Sequence, residues 1–449
     1  MNAPSSQYLS PAATVRVFCV FALVYFLSTM VRAIMATLAP ELTAAFALDD
    51  AQLGLLAGSY FVGFSLMQIP LGMALDRFGP PRTAVVFLLV ALAGGVLTAT
   101  AQSFAAMLAG RTLLGLGLAA GLMAPMAAYR RWFRPAAQVR SNAWMLTVGS
   151  LGMLASTVPV QWLLPQIGWR GVFWLWTGLA LLAWLGLLLW IPRWQHNAVA
   201  DHAAVGSRAA GNGAVGNGAG QGGAAAGEAT PPAAPRPPTL RAILKGYGTV
   251  LLDKRFLSVA PVGFFGYGAM FAMLTLWIGP WLREVHGANA QQVASGLFAI
   301  NMGMMAAFFL WGVMAPRLER RGLQLEPLVL VTMLTGLALL PLVLWQGERA
   351  GWLHWAVYCM SLSGFSLVQP KLAQHFPGHL AGRALTAFNL TIFAGGFFLQ
   401  WGVGAAINAF GQAGFERVAA FQIALMLMWA CKLAALGWFL RFRHVAAQP

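Results

Sequence analysis

Twelve runs of mostly apolar residues, each about twenty long, leave this chain few ways to fold. A run of that length crosses the hydrocarbon core of a bilayer as a helix. In lipid the backbone polar groups must bond within the segment, so the helix is the form expected. The runs fall at roughly 15–38, 52–75, 83–102, 104–127, 141–164, 171–192, 256–281, 291–315, 327–346, 351–370, 384–408 and 417–440. Only 9% of the 449 residues are charged, against about 25% in a soluble domain. An all-α membrane protein with twelve transmembrane helices is therefore expected. The first run is too long for a signal-peptide core and should persist as a membrane helix.

Between the sixth and seventh runs the composition shifts. Residues 203–238, "AAVGSRAAGNGAVGNGAGQGGAAAGEATPPAAPRPP", carry almost no large apolar side chain and cannot offset the entropy of ordering. The expected organisation is a six-helix bundle over 1–195, a flexible cytoplasmic linker over 196–240 and a second six-helix bundle over 241–449. A short amphipathic helix at 239–256 should lead into the second bundle. With both termini placed in the cytoplasm, 21 of the 28 Lys and Arg residues face that side, as the positive-inside rule requires. The same rule accounts for the net charge of +16. The basic residues form no patch interleaved with aromatic side chains, so no nucleic-acid partner is implied. Cys19, Cys359 and Cys431 lie far apart inside apolar runs and read as small core residues, with no metal site or cofactor expected.

The two halves echo each other. "GMALDR" (72–77) follows the second run and "GVMAPR" (312–317) follows the eighth, Gly72 matching Gly312 and Arg77 matching Arg317. The longer stretch "GMALDRFGPPR" fits G-x-x-x-D-R-x-G-x-x-R through Gly72, Asp76, Arg77, Gly79 and Arg82. It resembles motif A of the major facilitator superfamily. "RTLLGLG" (111–117) and "GWRGVFW" (168–174) resemble further signatures of that family. The resemblance implies a 6+6 fold whose halves rock about a central site, with Gly72, Asp76, Arg77, Gly79 and Arg82 forming a conformational latch. Gly72 is expected to admit a close backbone approach and Gly79 a tight turn. The fifth run lacks the Gly-Pro-x-x-Gly-Gly signature that the family's drug:proton antiporters carry.

Charge deep in a span needs a reason, since centring it costs about 2.5–3.5 kcal/mol or more. Arg32 and Arg111 lie at matched depth in the first and fourth runs, roughly 10 Å below the outer surface at about 1.5 Å per residue. By resemblance these helices line a central cavity, where two guanidinium groups would hold a carboxylate or phosphate. The pairing is similar to that of the anion:cation symporter branch. The acids which usually accompany it are replaced here by Val31 and Leu118, which puts proton coupling through the pair in doubt. Lys432 lies nearer the cytoplasmic end of the last run and is expected to snorkel. All twelve acids, including Glu41, Asp49 and Asp50, fall in loops, tails or helix ends. His354 is the other group able to exchange protons near neutral pH, although its place between Trp352 and Trp355 suits an interfacial residue.

Tyr25, Tyr267, Gln369 and Asn301 complete the expected substrate-binding set. Thr29, Ser363, Gln161, Asn389 and Gln400 are weaker candidates that serve equally as interhelical hydrogen-bonding groups. Gly279-Pro280 marks a flexing point, and the pairs Gly54/Gly58 and Gly117/Gly121 mark close helix packing. No G-x-x-x-x-G-K-[ST] loop is present, so no ATP use is implied. Paired membrane carboxylates and nucleophile-base pairs are likewise missing, which argues against an enzyme. The chain reads as a secondary transporter of a small organic anion working by alternating access, and a monomer is expected. Export of drug-like neutral or cationic compounds, or sensing without transport, are the alternatives. The excess of Arg over Lys, 24 to 4, points to a GC-rich bacterium and hence to its inner membrane.

Overall fold

The computed structural model describes residues 8–191, 240–321, 325–368, 372 and 375–446. The expected linker (196–240), apart from its last residue, and Gln369 lie outside them. Helices form the described chain, and no strand occurs among the described residues. In order they are α1 (Pro11–Ala33), α2 (Met35–Phe46), α3 (Asp50–Leu66), α4 (Gln68–Thr100), α5 (Phe104–Leu118), α6 (Ala120–Trp132), α7 (Pro135–Ala155) and α8 (Val158–Trp190). After the undescribed segment follow α9 (Leu240–Leu251), α10 (Lys254–Val285), α11 (Ala290–Arg320), α12 (Leu325–Gln346), α13 (Trp352–Leu362), α14 (Gly378–Gln412) and α15 (Arg417–Ala446).

Among the described residues, nine helices are long and apolar enough to cross a membrane. The difference from twelve apolar runs traces to where helices break. Pro70 has no N–H to give to the Leu66 carbonyl, and α3 ends at Leu66. Pro159 stands in the same relation to Ala155, where α7 ends. In each case a proline removes the bond that would have carried the helix across. Beyond α13 the chain tightens into a 3-10 turn over Ser363–Leu367. Ser361, Ser363 and Ser366 each donate back to a carbonyl three residues earlier there, at 2.6–2.8 Å, a bonding mode that bends helices.

Helix starts are set locally. The Asp49 carboxylate accepts from the Gln52 amide N–H at 2.7 Å, and the Gln52 side chain accepts from the Asp49 N–H at 3.1 Å. Asn289 and Gln292 repeat this reciprocal cap at the start of α11, both bonds being 2.9 Å. The echo between the halves thus extends from the 72–77 and 312–317 motifs to the helix caps. Within the 239–256 stretch a helix, α9, ends at Leu251, and Asp253 begins the next helix by accepting from the Arg255 N–H at 2.7 Å.

Large apolar side chains face outward as well as inward. Leu189 and Trp345 are 75% and 83% exposed, as a lipid-facing surface requires. Inside, glycine lets helices meet: a Cβ on Gly54 would run into the Gln400 carbonyl and the Trp401 Cα, and one on Gly58 into the Phe397 ring. Helix α3 therefore lies close against α14. Gly117 meets the Ala91 backbone and Gly279 the Ala36 carbonyl in the same way, whereas the atom nearest a Cβ on Gly121 is the Ser28 Cβ at 3.3 Å, a looser contact.

Candidate functional site

A cavity of about 980 Å³ runs between residues of α1, α3, α4, α5, α6, α7, α9, α10 and α14. Its two ends differ in chemistry. Arg32, Phe64, Phe271 and Phe393 line the buried end, and Asp76, Arg130, Arg131 and Arg383 line the exposed end.

Arg32 is 8% exposed and forms no ion pair among the described residues. Its Nε is buried without a hydrogen-bond partner. Aromatic rings take the place of an acid: the centroids of Tyr60, Phe64, Phe271 and Phe393 lie 6.0, 5.3, 5.8 and 5.4 Å from its Cζ. Ring faces attract a cation through their quadrupole, which tempers the burial while leaving the N–H donors at the guanidinium edge unused. Tyr60 and Phe64 come from the first half of the chain, Phe271 and Phe393 from the second, so the cation sits where the halves meet.

Arg111 is placed differently. It is fully buried, does not line the cavity, and its Nη1 donates to the Val31 carbonyl at 2.8 Å. Its Cζ lies 5.5 Å from the Tyr60 ring, so one tyrosine stands beside both cations. The Tyr60 hydroxyl in turn lies 3.3 Å from the Ser28 hydroxyl. Sequence reasoning missed Tyr60, because an aromatic residue in an apolar run looks like core. The one signal was its spacing of four from Phe64, which puts both rings on one helix face.

The remaining candidates divide. Tyr25, Tyr267 and Asn389 line the cavity with Arg32. Tyr267 ends a π-helical stretch, Val262–Tyr267, one of three in α10; such irregular turns concentrate at functional sites. Asn301 does not line it, and its amide donates to the Leu297 carbonyl of its own helix at 2.9 Å. Thr29 bonds within α1, Ser363 accepts from the Trp311 indole at 2.9 Å, and Gln400 donates to the Thr275 hydroxyl at 2.7 Å. Gln161 and His354 lie outside the lining as well.

At the exposed end Gly79 adopts φ 77 and ψ 169, a conformation open to glycine, and turns the chain before Pro80. Gly72 departs from expectation: the atom nearest a Cβ built on it is the Tyr247 hydroxyl at 3.7 Å, ordinary contact with no helix backbone close by. Asp76, in α4 between the second and third apolar runs and three residues before the bend at Gly79, makes no ion pair within 4.0 Å among the described residues. Desolvation raises its carboxyl above the ordinary value, partly offset by the guanidinium groups of Arg131, Arg383 and Arg130. Arg77 lies over the Phe78 ring at 5.3 Å, and Arg82 is exposed. Tyr247 bridges from α9 to α14 through a 2.8 Å bond with the Thr386 hydroxyl. Burial raises its phenol above the ordinary value and keeps it protonated.

Asp50 and Asp76 lie at opposite ends of the rod made by α3 and the first part of α4, roughly 40 Å apart at about 1.5 Å per residue. At the Asp50 end the chain is tied shut. Arg417 donates to both Asp50 carboxylate oxygens, at 2.5 and 2.8 Å, and its Nε to Glu284 at 2.6 Å. Three helix ends, those of α3, α10 and α15, meet there.

Lys432 does not snorkel. It is 5% exposed, and its Nζ donates to the Tyr358 hydroxyl at 2.8 Å. No acid pairs with it among the described residues.

The family profile of the Major Facilitator Superfamily matches residues 21–400. A 2-nitroimidazole transporter of Escherichia coli (strain K12) is 28% identical over 176 residues, 38% of this chain and 44% of that one. A probable sulfoacetate transporter of Cupriavidus necator is 27% identical over 154 residues, 34% and 36% of the two chains. The aligned regions thus span less than half the length of these two relatives. Among solved structures, a POT family transporter superimposes with a TM-score of 0.69 at 13% identity, over 97% of this chain and 99% of that one. A D-xylose–proton symporter does so with 0.68 at 14% identity, over 95% and 97%.

Proposed function

The chain belongs to the Major Facilitator Superfamily, and from that premise we propose that it carries a small organic anion across the membrane by alternating access. As a member it is a multi-pass membrane transport protein and not an enzyme; in a bacterium its membrane is the inner one. The observation that carries the substrate reading is Arg32. A guanidinium that is nine-tenths buried, faces a cavity and has no acid to pair with among the described residues holds unspent hydrogen-bonding capacity that an anion would complete. The relative named for sulfoacetate supports an anionic cargo.

In this reading the twelve apolar runs form two six-helix bundles joined by the 196–240 linker, with both termini cytoplasmic. The cavity then opens to the cytoplasm at Asp76, and Arg417 closes the outer face by joining Asp50 to Glu284. Closure of the inner face would bring Asp76 onto Arg131 and Arg383, with Gly72, Arg77, Gly79 and Arg82 shaping that latch. Tyr25 and Tyr267, which line the cavity with Arg32, are the polar side chains nominated for the solute; Gln369 stays a nominee outside the described residues, and Asn301 lies outside the lining. Arg111 holds α1 from behind the cavity wall. A second reading, export of a neutral ring compound, is favoured by the relative named for 2-nitroimidazole.

Flux in proteoliposomes tests the first reading. Carboxylates, sulfonates and neutral ring compounds should be compared for the wild-type protein and for Arg32→Gln. Carboxylate or sulfonate flux that Arg32→Gln abolishes is the expected result. Neutral-compound flux that survives the change would overturn it in favour of the second reading.

A further inference from the structure

We propose that the buried end of the cavity selects a flat, conjugated monocarboxylate. This rests on the organic-anion reading above and narrows it. Charge sets the first limit. Arg32 is the single cation among the described residues lining the buried end, because Arg111 is held by the Val31 carbonyl outside the lining. One carboxylate completes the Arg32 edge. A second would be desolvated with no cation to meet it.

Shape sets the second limit. Phe64, Phe271 and Phe393 surround the guanidinium and also line the cavity, with Tyr25 and Tyr267 on its walls. The rings already pack on one another: Phe64 and Phe393 are 4.4 Å apart, Phe271 and Phe393 5.4 Å, and Tyr267 and Phe271 5.4 Å. These separations are those of offset and tilted aromatic pairs. A carboxylate that binds in the guanidinium plane carries its body out among these rings. A conjugated body there gains ring–ring contacts that an aliphatic body of equal area lacks. The rings come from both halves, so such a solute touches both and can bias their relative position.

The test compares three probes of similar size on the purified full-length protein by calorimetry: benzoate, cyclohexanecarboxylate and benzamide. Benzoate should bind about tenfold more tightly than cyclohexanecarboxylate, and benzamide should show no measurable binding. Equal affinity for the two carboxylates would overturn the aromatic selection and leave the anion reading standing. Benzamide binding as well as benzoate would overturn both. No binding by any probe overturns the present proposal, and the broader anion panel then decides the parent reading. Phe393→Leu should bring the ratio of the two carboxylate affinities toward one. Phe271→Leu gives the same readout independently if the first variant does not fold.

Discussion

Arg111 donates to the carbonyl of Val31, the residue directly before Arg32. The bond pins α1 two residues ahead of Ala33, where it ends and the chain turns into α2. In the proposed reading Arg32 holds the anion and Arg111 positions Arg32. Arg111→Gln should lower thermal stability, since a hydrogen bond from a charged group contributes about 1.5–3 kcal/mol, and anion affinity should fall with it. Arg111→Lys should restore part of both. Arg32→Gln should abolish anion binding and lower the melting temperature less than Arg111→Gln does, because among the described residues its guanidinium makes no hydrogen bond to lose. Melting curves and binding isotherms on the three variants separate the roles. An Arg111→Gln protein of normal stability that cannot bind would put Arg111 on the solute itself.

Arg417 is the hub of the closed end, and its removal should release that end. Its partners are partly exposed, Asp50 by 14% and Glu284 by 34% at the side chain, and Arg417 itself by 43%. Exposed pairs contribute less than about 1 kcal/mol each, so the whole cluster is worth on the order of 1 kcal/mol after solvent screening. Arg417→Ala should then raise the population open at the Asp50 end about fivefold. The readout is labelling of Tyr25→Cys from that side by an impermeant maleimide, on a background without Cys19, Cys359 and Cys431. Salt at about 1 M should reproduce part of the effect in the unmodified chain. An unchanged rate in Arg417→Ala would show that the glycine-mediated contact of α3 with α14 closes that end alone.

Much of the architecture was legible because it is local. Runs of apolar length read directly as membrane helices, and Gly79-Pro80-Pro81 read as a turn because glycine alone tolerates the backbone found there. The helix breaks after Leu66 and Ala155 were also local, each four residues ahead of a proline, yet continuous hydropathy concealed them. The closed end was not legible: Asp50 and Arg417 are 367 residues apart, and each looked like an ordinary loop charge. The site was legible in its cation and not in its surroundings. Arg32 stood out against an apolar run, whereas Phe64, Phe271 and Phe393 had no polar feature to mark them and Tyr60 only a hydroxyl in an apolar run, and only the packing of the halves brings them to one guanidinium.

Asp76 should act as an acid-sensitive bias on the exposed end. In the state described here its carboxyl is raised by desolvation, whereas a direct ion pair with Arg131 or Arg383 in a closed state would lower it. The proton is therefore bound more tightly by the open state. Acidification favours that state, and the preference fades as pH rises through the raised value. Asp76→Asn should mimic low pH, giving faster labelling of Tyr25→Cys from the Asp76 end and loss of its pH dependence. A pH dependence that persists in Asp76→Asn would move the titrating group elsewhere.

Lys432 and Tyr358 make the last test, because the two substitutions should act in opposite directions. An ammonium buried without an acid is costly, and replacing such a group with an apolar side chain of similar volume is often neutral or stabilising. Lys432→Met should therefore keep or raise the melting temperature. Tyr358→Phe removes the hydroxyl that receives the Lys432 Nζ bond and strands the amine, at a cost of about 1–3 kcal/mol. In the double variant that loss should vanish, leaving a coupling of similar size in a double-mutant cycle. Flux separates a structural pair from a working one. Lys432→Met with normal transport assigns the pair to packing between α13 and α15, and a stable Lys432→Met protein that no longer transports would make the lysine part of the transport cycle.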